Sequence, residues 1–279
     1  MSLQLNKIKK RIKTVSGAYK VTSAMKLIST ARLSKYKNRM FSYREYVSKL
    51  DEINALVFSN VKNTNIPFLK ENEKATKNLY VIVSSTLGLC GAYNTNIFKV
   101  AEVSLKEEDD VIILGKKGLS YFKDGKFNKI EEFNDYKNIS NDLLVKKMVK
   151  FISDKYLAKE YRKIHFIYTE YKNSLTFKAK DSLLLPLKLE TKKEDFPPIL
   201  EPSPEILVES LAPLYVLTSF FSKLLESEVC EQAARRNAME NATDNAKEIL
   251  SDLEIQFNKA RQASITQEIT EIVSAANIL

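Results

Sequence analysis

Few residues in this chain have the chemistry for catalysis. Its 279 residues include one histidine, His165, and two cysteines, Cys90 and Cys230. A cysteine acts as a nucleophile only beside a positioned base. His165 lies inside the apolar run 164–169, and nothing in the sequence brings it to Cys90. A core or sheet-surface histidine is the plainer reading. Three such residues also cannot build a disulfide framework or a structural zinc site, and they fit a reducing compartment. Gly88-Leu89-Cys90-Gly91 follows an apolar run and opens a helical pattern, where a phosphate could bind. The spacing is not G-x-G-x-x-G, and a tight β–α turn explains it more simply. No G-x-x-x-x-G-K-[ST] occurs, so no Walker-type nucleotide site is expected. The expectation is therefore no catalytic residue, no cofactor and no metal.

Charge offers a different chemistry. The formal net charge is +9, unevenly spread. Residues 1–60 hold thirteen Lys or Arg against three acids, while residues 204–279 hold six bases against twelve acids. Clustered lysines can bind phosphates. The basic segment lacks interleaved aromatics in its first 18 residues, and it has an acidic counterpart in its own chain. A solvated face, or one turned to an acidic protein, is the better reading.

The elements that carry these charges are set by glycine and proline. None occurs from Ala18 to Ile66, and none from Leu214 to Leu279. Helices average about 11–12 residues, so such ends predict long ones. Residues 3–58 read as one helix, with apolar residues at Ile8, Ile12, Val15, Ala18, Val21, Met25 and Ile28. Residues 205–279 read as another, capped near Ser203 with Pro204 in its first turn and a possible kink at Pro213. Its expected seam is Ala234, Ala238, Ala242, Asn245, Ile249, Leu253, Gln256, Ala260 and Ala263, a coiled-coil-like stripe.

The middle of the chain alternates. Short apolar runs at 79–85, 111–115 and 164–169, with a weaker one at 183–187, predict strands. Helical patterns at 94–106, 117–123 and 141–159 separate them. That order predicts a small Rossmann-like α/β domain with a largely parallel sheet. The expected fold is thus α/β plus a long antiparallel coiled coil, in which the N- and C-terminal helices form a stalk. The expected division is 1–60, 61–204 and 205–279, with linkers at 59–78 and at the proline-rich 188–204. No run of 18 apolar residues and no apolar segment after Met1 predict neither a membrane span nor a secretory signal.

Unequal helix lengths carry a consequence. If the two pair antiparallel, the last 20 or so residues of the C-terminal helix overhang by roughly 28 Å at 1.5 Å per residue. Ile265, Ile269, Ile272, Val273, Ala276, Ile278 and Leu279 lie there. So much exposed apolar surface on a lone helix tip predicts an enclosing protein.

The ends also carry a resemblance. Residues 231–279 contain KARQASITQEITEIVSAA (259–276), and residues 8–40 read IKKRIKTVSGAYKVTSAMKLISTARLSKYKNRM. GLCGAYNTNIF (88–98) and EPSPEIL (201–207) complete the set. In order, over essentially the whole chain, these resemble the gamma subunit of F-type ATP synthases. The resemblance implies a non-catalytic rotor whose coiled coil sits inside a ring of three alpha and three beta subunits. It implies a foot beside the epsilon subunit and the membrane rotor ring of c subunits, peripheral on the cytoplasmic face of a bacterial plasma membrane. By motif match, it implies partner contacts at Met25, Lys26, Arg235, Arg236, Arg261, Gln262, Thr266 and Glu268, and one near the membrane ring at Glu201. Met25 and Thr266 serve equally well as seam packing.

Two departures fall in the foot. Thr86-Leu87 stands where the family carries Asp-Arg, and the segment before Glu201 has fewer aromatics. These point to a divergent coupling surface. No insertion of the chloroplast regulatory-cysteine type is present, so redox control is not expected. The competing readings are a coiled-coil arm binding nucleic acid through the basic helix, an α/β enzyme with a helical dimerisation arm, and a related ATPase rotor not coupled to proton flow. No nucleic-acid partner is expected under the preferred reading.

Overall fold

The computed structural model describes residues 2–61, 66–134, 142–188 and 199–276. Five helices and five strands follow in order among them, with two short 3-10 turns. They are α1 (Ser2–Ser59), β1 (Leu79–Val83), α2 (Tyr93–Ser104), β2 (Asp110–Leu114) and α3 (Lys116–Tyr121). β3 (Asn128–Lys129), α4 (Asp142–Leu157), β4 (Ile164–Tyr171), β5 (Phe177–Leu185) and α5 (Pro204–Ala276) complete the chain. Two compact units emerge, Met1–Thr30 with Arg235–Leu279, and Ala31–Ala234.

The larger unit is built on one sheet, in the order β3-β2-β1-β4-β5. The first four of these strands are parallel, and β5 runs antiparallel to β4. Every residue of β1 and β2 is buried. That explains their unbroken Leu-Tyr-Val-Ile-Val and Asp-Val-Ile-Ile-Leu character, since a parallel sheet is covered on both faces. β5 alternates Phe177, Ala179 and Asp181 with exposed Lys178 and Lys180, so its edge stays wet. The turn from β2 to α3 needs Gly115. It has φ of 97°, and a Cβ there would lie 2.1 Å from the Ser84 carbonyl oxygen.

In the same unit, α1 and α5 grip the sheet. Leu33, Tyr36, Met40, Tyr43, Val47, Leu50, Asn54 and Val57 form a shielded stripe on α1, at alternating steps of three and four. Tyr43 meets Phe221 edge-on at 4.9 Å, and Phe166 of β4 meets Phe220 at 4.8 Å. Arg44 donates to Glu226 Oε1 at 2.9 Å and to the Tyr171 carbonyl at 3.2 Å, tying α1, α5 and β4 together. One stretch of α5 is apolar and long enough by composition to cross a membrane. Of that stretch 33% is buried, and Val208, Ala212, Val216, Phe220 and Leu224 of this part of α5 are fully buried.

The start of α5 follows the sequence signals. The Ile206 N–H donates to Ser203 Oγ at 3.3 Å, and the Leu207 N–H to the Ser203 carbonyl. The helix continues through Pro213 without a break. The expected strands and helices of the middle segment are all present, with two differences. β3 was not foreseen, and β5 begins six residues before the weak apolar run that pointed to it. Pro197 and Pro198 of the expected linker, and the terminal Ile278 and Leu279, lie outside the described residues.

Candidate functional site

The residues singled out in the terminal helices lie in the smaller unit, apart from Glu201. There, α1 shields Leu5, Ile8, Ile12, Val15, Tyr19, Thr22, Lys26 and Ser29. On α5 a matching stripe of shielded positions runs through Met239, Thr243, Ala246, Leu250, Leu253, Phe257, Ala260 and Ser264. Both sets alternate steps of three and four, the heptad spacing that keeps one stripe against a partner helix. Thr22 Oγ1 lies 3.0 Å from Thr243 Oγ1, and Lys26 Nζ lies 2.7 Å from Glu240 Oε1. As the number rises on one helix it falls on the other, so the pair is antiparallel.

This seam keeps Ile8, Ile12, Val15, Leu253 and Ala260 of the sequence expectation and departs from it in register at other positions. Val21 and Ile28 are 60% and 54% exposed, and Ala18 is also exposed. On α5, Asn245, Ile249, Gln256 and Ala263 face outward. The expected α1 stripe took three of its steps in succession as threes. Each step of three falls about 60° short of a full turn at 3.6 residues per turn, so the stripe drifts off the seam. On α5, following the alanines placed the stripe one residue from the larger Met239, Leu250 and Phe257, a rotation of about 100°.

Among the implied contact residues, Lys26 and Arg236 converge on one carboxylate. Arg236 Nη2 approaches Glu240 Oε2 at 3.5 Å. Hydrogen bonding from Lys26, aided by its charge, holds the Glu240 carboxyl below its ordinary value. Met25 is half-buried and Arg235 is buried. Arg261, Gln262, Thr266 and Glu268 are exposed along α5. Thr266 Oγ1 donates to the Gln262 carbonyl at 3.0 Å, and Ser264 Oγ to Glu268 Oε1 at 3.3 Å. Both are local helix contacts that leave the outer surface open. Glu201 lies exposed in the larger unit, just before α5.

The pairing also locates the unpaired tip. Extending it one for one places Ser2 level with about residue 263, so about 20 Å of α5 runs on beyond α1 at 1.5 Å per residue. Ile265, Ile269, Ile272 and Val273 of that tip are exposed.

The catalytic candidates separate. Cys90 is buried, with Asn94 Nδ2 donating to its sulfur at 3.3 Å and Ser85 Oγ 3.7 Å away. His165 Nδ1 lies 2.9 Å from Asp181 Oδ1, and its ring stacks on Tyr80 at 4.8 Å. It is the sheet-surface histidine of the plainer reading. The Gly88–Gly91 segment forms a tight β–α turn with Leu89 and Gly91 at φ of 61° and 56°. Among the described residues no group of three or more His, Cys, Asp or Glu is arranged to hold a metal. The polar pairing of Thr22 with Thr243 and of Lys26 with Glu240 was not anticipated. The signal was present in the strict three–four spacing of Tyr19, Thr22, Lys26, Ser29 and Leu33, but polar residues hid it.

A family profile described as ATP synthase matches residues 4–279. The chain is 36% identical to the ATP synthase gamma chain of Mycoplasma capricolum over 286 residues, covering 98% of each. It is likewise 36% identical to that of Chloroherpeton thalassium over 301 residues, covering 99% of this chain and 98% of the relative. Its fold is similar to a chain of the Euglena gracilis mitochondrial ATP synthase rotor, with a TM-score of 0.69 at 17% identity, over 95% of this chain and all of that one.

Proposed function

This chain belongs to the gamma-chain family of ATP synthases and serves as a central-stalk rotor, and from that premise we propose how its surface does the work. The paired helices turn inside a ring of alpha and beta subunits that carry the nucleotides, while this chain performs no chemistry itself. The α/β segment, 61–204, is the foot. It meets the epsilon subunit and, near Glu201, the membrane rotor ring of c subunits. The helical segments 1–60 and 205–279 supply the shaft, its seam formed by residues 1–30 with 235–279, while 31–60 and 205–234 pack in the sheet-bearing unit. The complex sits on the cytoplasmic face of a bacterial plasma membrane.

The mechanism is conformational bias. One asymmetric shaft presents a different face to each of three equivalent catalytic sites, and each site's open–closed equilibrium moves by the difference in contact energy. Moving such an equilibrium from 1:99 to 99:1 takes about 5.5 kcal/mol. Exposed ion pairs are worth about 0–1 kcal/mol each, so Arg236, Arg261 and Glu268 act together with apolar packing around Met25 and Thr266. Weak single contacts also suit a surface that must release at every step.

The observation that carries this reading is the unpaired tip of α5, with Ile265, Ile269, Ile272 and Val273 bare. The hexamer's collar encloses it. Removing residues 264–279 tests the reading in the assembled ATPase. The expected result is impaired assembly or loss of coupling between hydrolysis and proton pumping. Unchanged assembly and coupling would overturn the role given to the tip.

A further inference from the structure

The N-terminal part of α1 contains two competing stripes. One runs through Val21, Met25 and Ile28, and the other through Thr22, Lys26 and Ser29. They differ by one residue, a rotation of the helix by about 100°. Burial of apolar surface favours the first stripe. The structure favours the second: Ser29 is fully buried while Val21 and Ile28 point outward, and Met25 and Lys26, one from each stripe, are both half-buried. Leu27, beside them, is exposed as well.

We propose that Thr22–Thr243 and Lys26–Glu240 are a polar key that fixes the rotational phase of α1 against α5. The key has two parts on successive levels of the seam. Thr243 Oγ1 lies 3.0 Å from Thr22 Oγ1 and also 2.6 Å from the Met239 carbonyl. One turn further along, Lys26 Nζ reaches Glu240 Oε1 at 2.7 Å, and the other carboxylate oxygen faces Arg236. Turning α1 to its apolar phase would pull Lys26 from Glu240 and set Val21 against the Thr243 hydroxyl. Polar residues at seam positions specify alignment at a cost in stability. Lys26 is thus a positioning residue, not a contact to a partner's acidic group. Its effect is to hold Val21, Leu27 and Ile28 on the outer face.

The consequence for coupling rests on the rotor reading above, because an asymmetric shaft works through the face it presents. The structural claim stands without it. Two cysteine pairs report the phase in the full-length chain under mild oxidation: Thr22→Cys with Thr243→Cys for the observed phase, and Val21→Cys with Thr243→Cys for the alternative. The native thiols are buried. Each pair is placed with Lys26 and Glu240 intact, with Lys26→Glu, and with the exchange Lys26→Glu plus Glu240→Lys. The expected result is that Lys26→Glu raises the yield of the 21–243 link relative to the 22–243 link by roughly threefold to fivefold, the weight of one ion pair. The exchanged pair restores the original ratio. If Lys26→Glu lowers helix content, Lys26→Ala, which removes the ion pair without adding apolar bulk to the observed seam, replaces it, with a shift in the same direction expected.

In the assembled ATPase, coupling of hydrolysis to pumping should fall with Lys26→Glu and recover with the exchanged pair. A link ratio indifferent to Lys26 and Glu240 would overturn the key. A shifted ratio with unchanged coupling would overturn its functional role. Failure of the unmodified chain to assemble with larger ATPase subunits would instead count against the rotor reading.

Discussion

At the scale of single residues, the informative groups are those buried without full compensation. Glu228 of α5 is 7% exposed, and its Oε2 atom has no hydrogen-bond partner. Burial, reinforced by Glu231 and opposed by Arg39 and Lys35, pushes its carboxyl up to about 8. An unfolded glutamate titrates near pH 4.3, so between about pH 4.3 and 8 the folded chain holds a proton that the unfolded chain has lost. The stability associated with Glu228 is therefore full below that window and declines as pH rises through it. Glu228→Gln keeps the shape and removes the charge. Urea unfolding should show the variant more stable than the parent by about 1–3 kcal/mol at pH 8, and nearly equal to it at pH 4.5. Equal curves at both pH values would mean that water or a neighbour solvates the carboxylate. The thiols show the same logic without a charge. Cys230 donates to the Thr169 carbonyl at 3.5 Å, and burial drives its pKa upward, so it is a packing residue.

At the scale of elements, the seam itself can be tested. Leu253, which the expected and the observed α5 stripes share, is 4% exposed, whereas Ile249, on the expected stripe alone, is 42% exposed. Leu253→Ala should cost about 2–3 kcal/mol in urea unfolding, and Ile249→Ala less than about 0.5 kcal/mol. A cost at Ile249 as large as that at Leu253 would restore the alanine stripe. This contrast marks how far the elements could be read from sequence. The long helices were legible because glycine and proline are absent over α1 after Gly17 and over α5 after Pro213, and because Ser203 and Pro204 announce a start. β1, β2 and β4 were legible as apolar runs. β5 was seen only at its buried end, since Lys178, Lys180 and Asp181 break the apolar signal on an edge. β3, two residues long, is defined by pairing with β2 and not by its own side chains. The phase of the coiled coil failed for a sharper reason. Reading by hydrophobicity follows Val21 and Ile28, while the chain uses Thr22, Lys26 and Ser29. The implied contact residues were identified by motif, but no sequence pattern joined Lys26 to Glu240 more than 200 residues away.

For the whole molecule, the decisive property is the contrast between the shielded and bare parts of one helix. Residues 208–253 of α5 contribute Val208, Phe220, Leu224, Val229 and Leu253 to buried surfaces, while the segment from Ile265 to Val273 exposes its apolar side chains. Isolated helices shorter than about 12–15 residues are marginal in water. The tip therefore draws its order from continuity with the rest of α5 and from whatever surrounds it. Amide hydrogen exchange measures this directly. In the free chain, amides of 265–273 should exchange at rates typical of fraying ends, while those of 216–229 should approach global protection. In the assembled ATPase, the tip should gain at least about tenfold protection if an apolar collar encloses it, because a free-energy gain of 1.4 kcal/mol is already tenfold. Strong protection of the tip in the free chain would show that it is stabilised without a sheath. Equal exchange in free and assembled states would mean that the collar does not hold it. Either outcome separates a helix end seated in a bearing from one that merely ends in solvent.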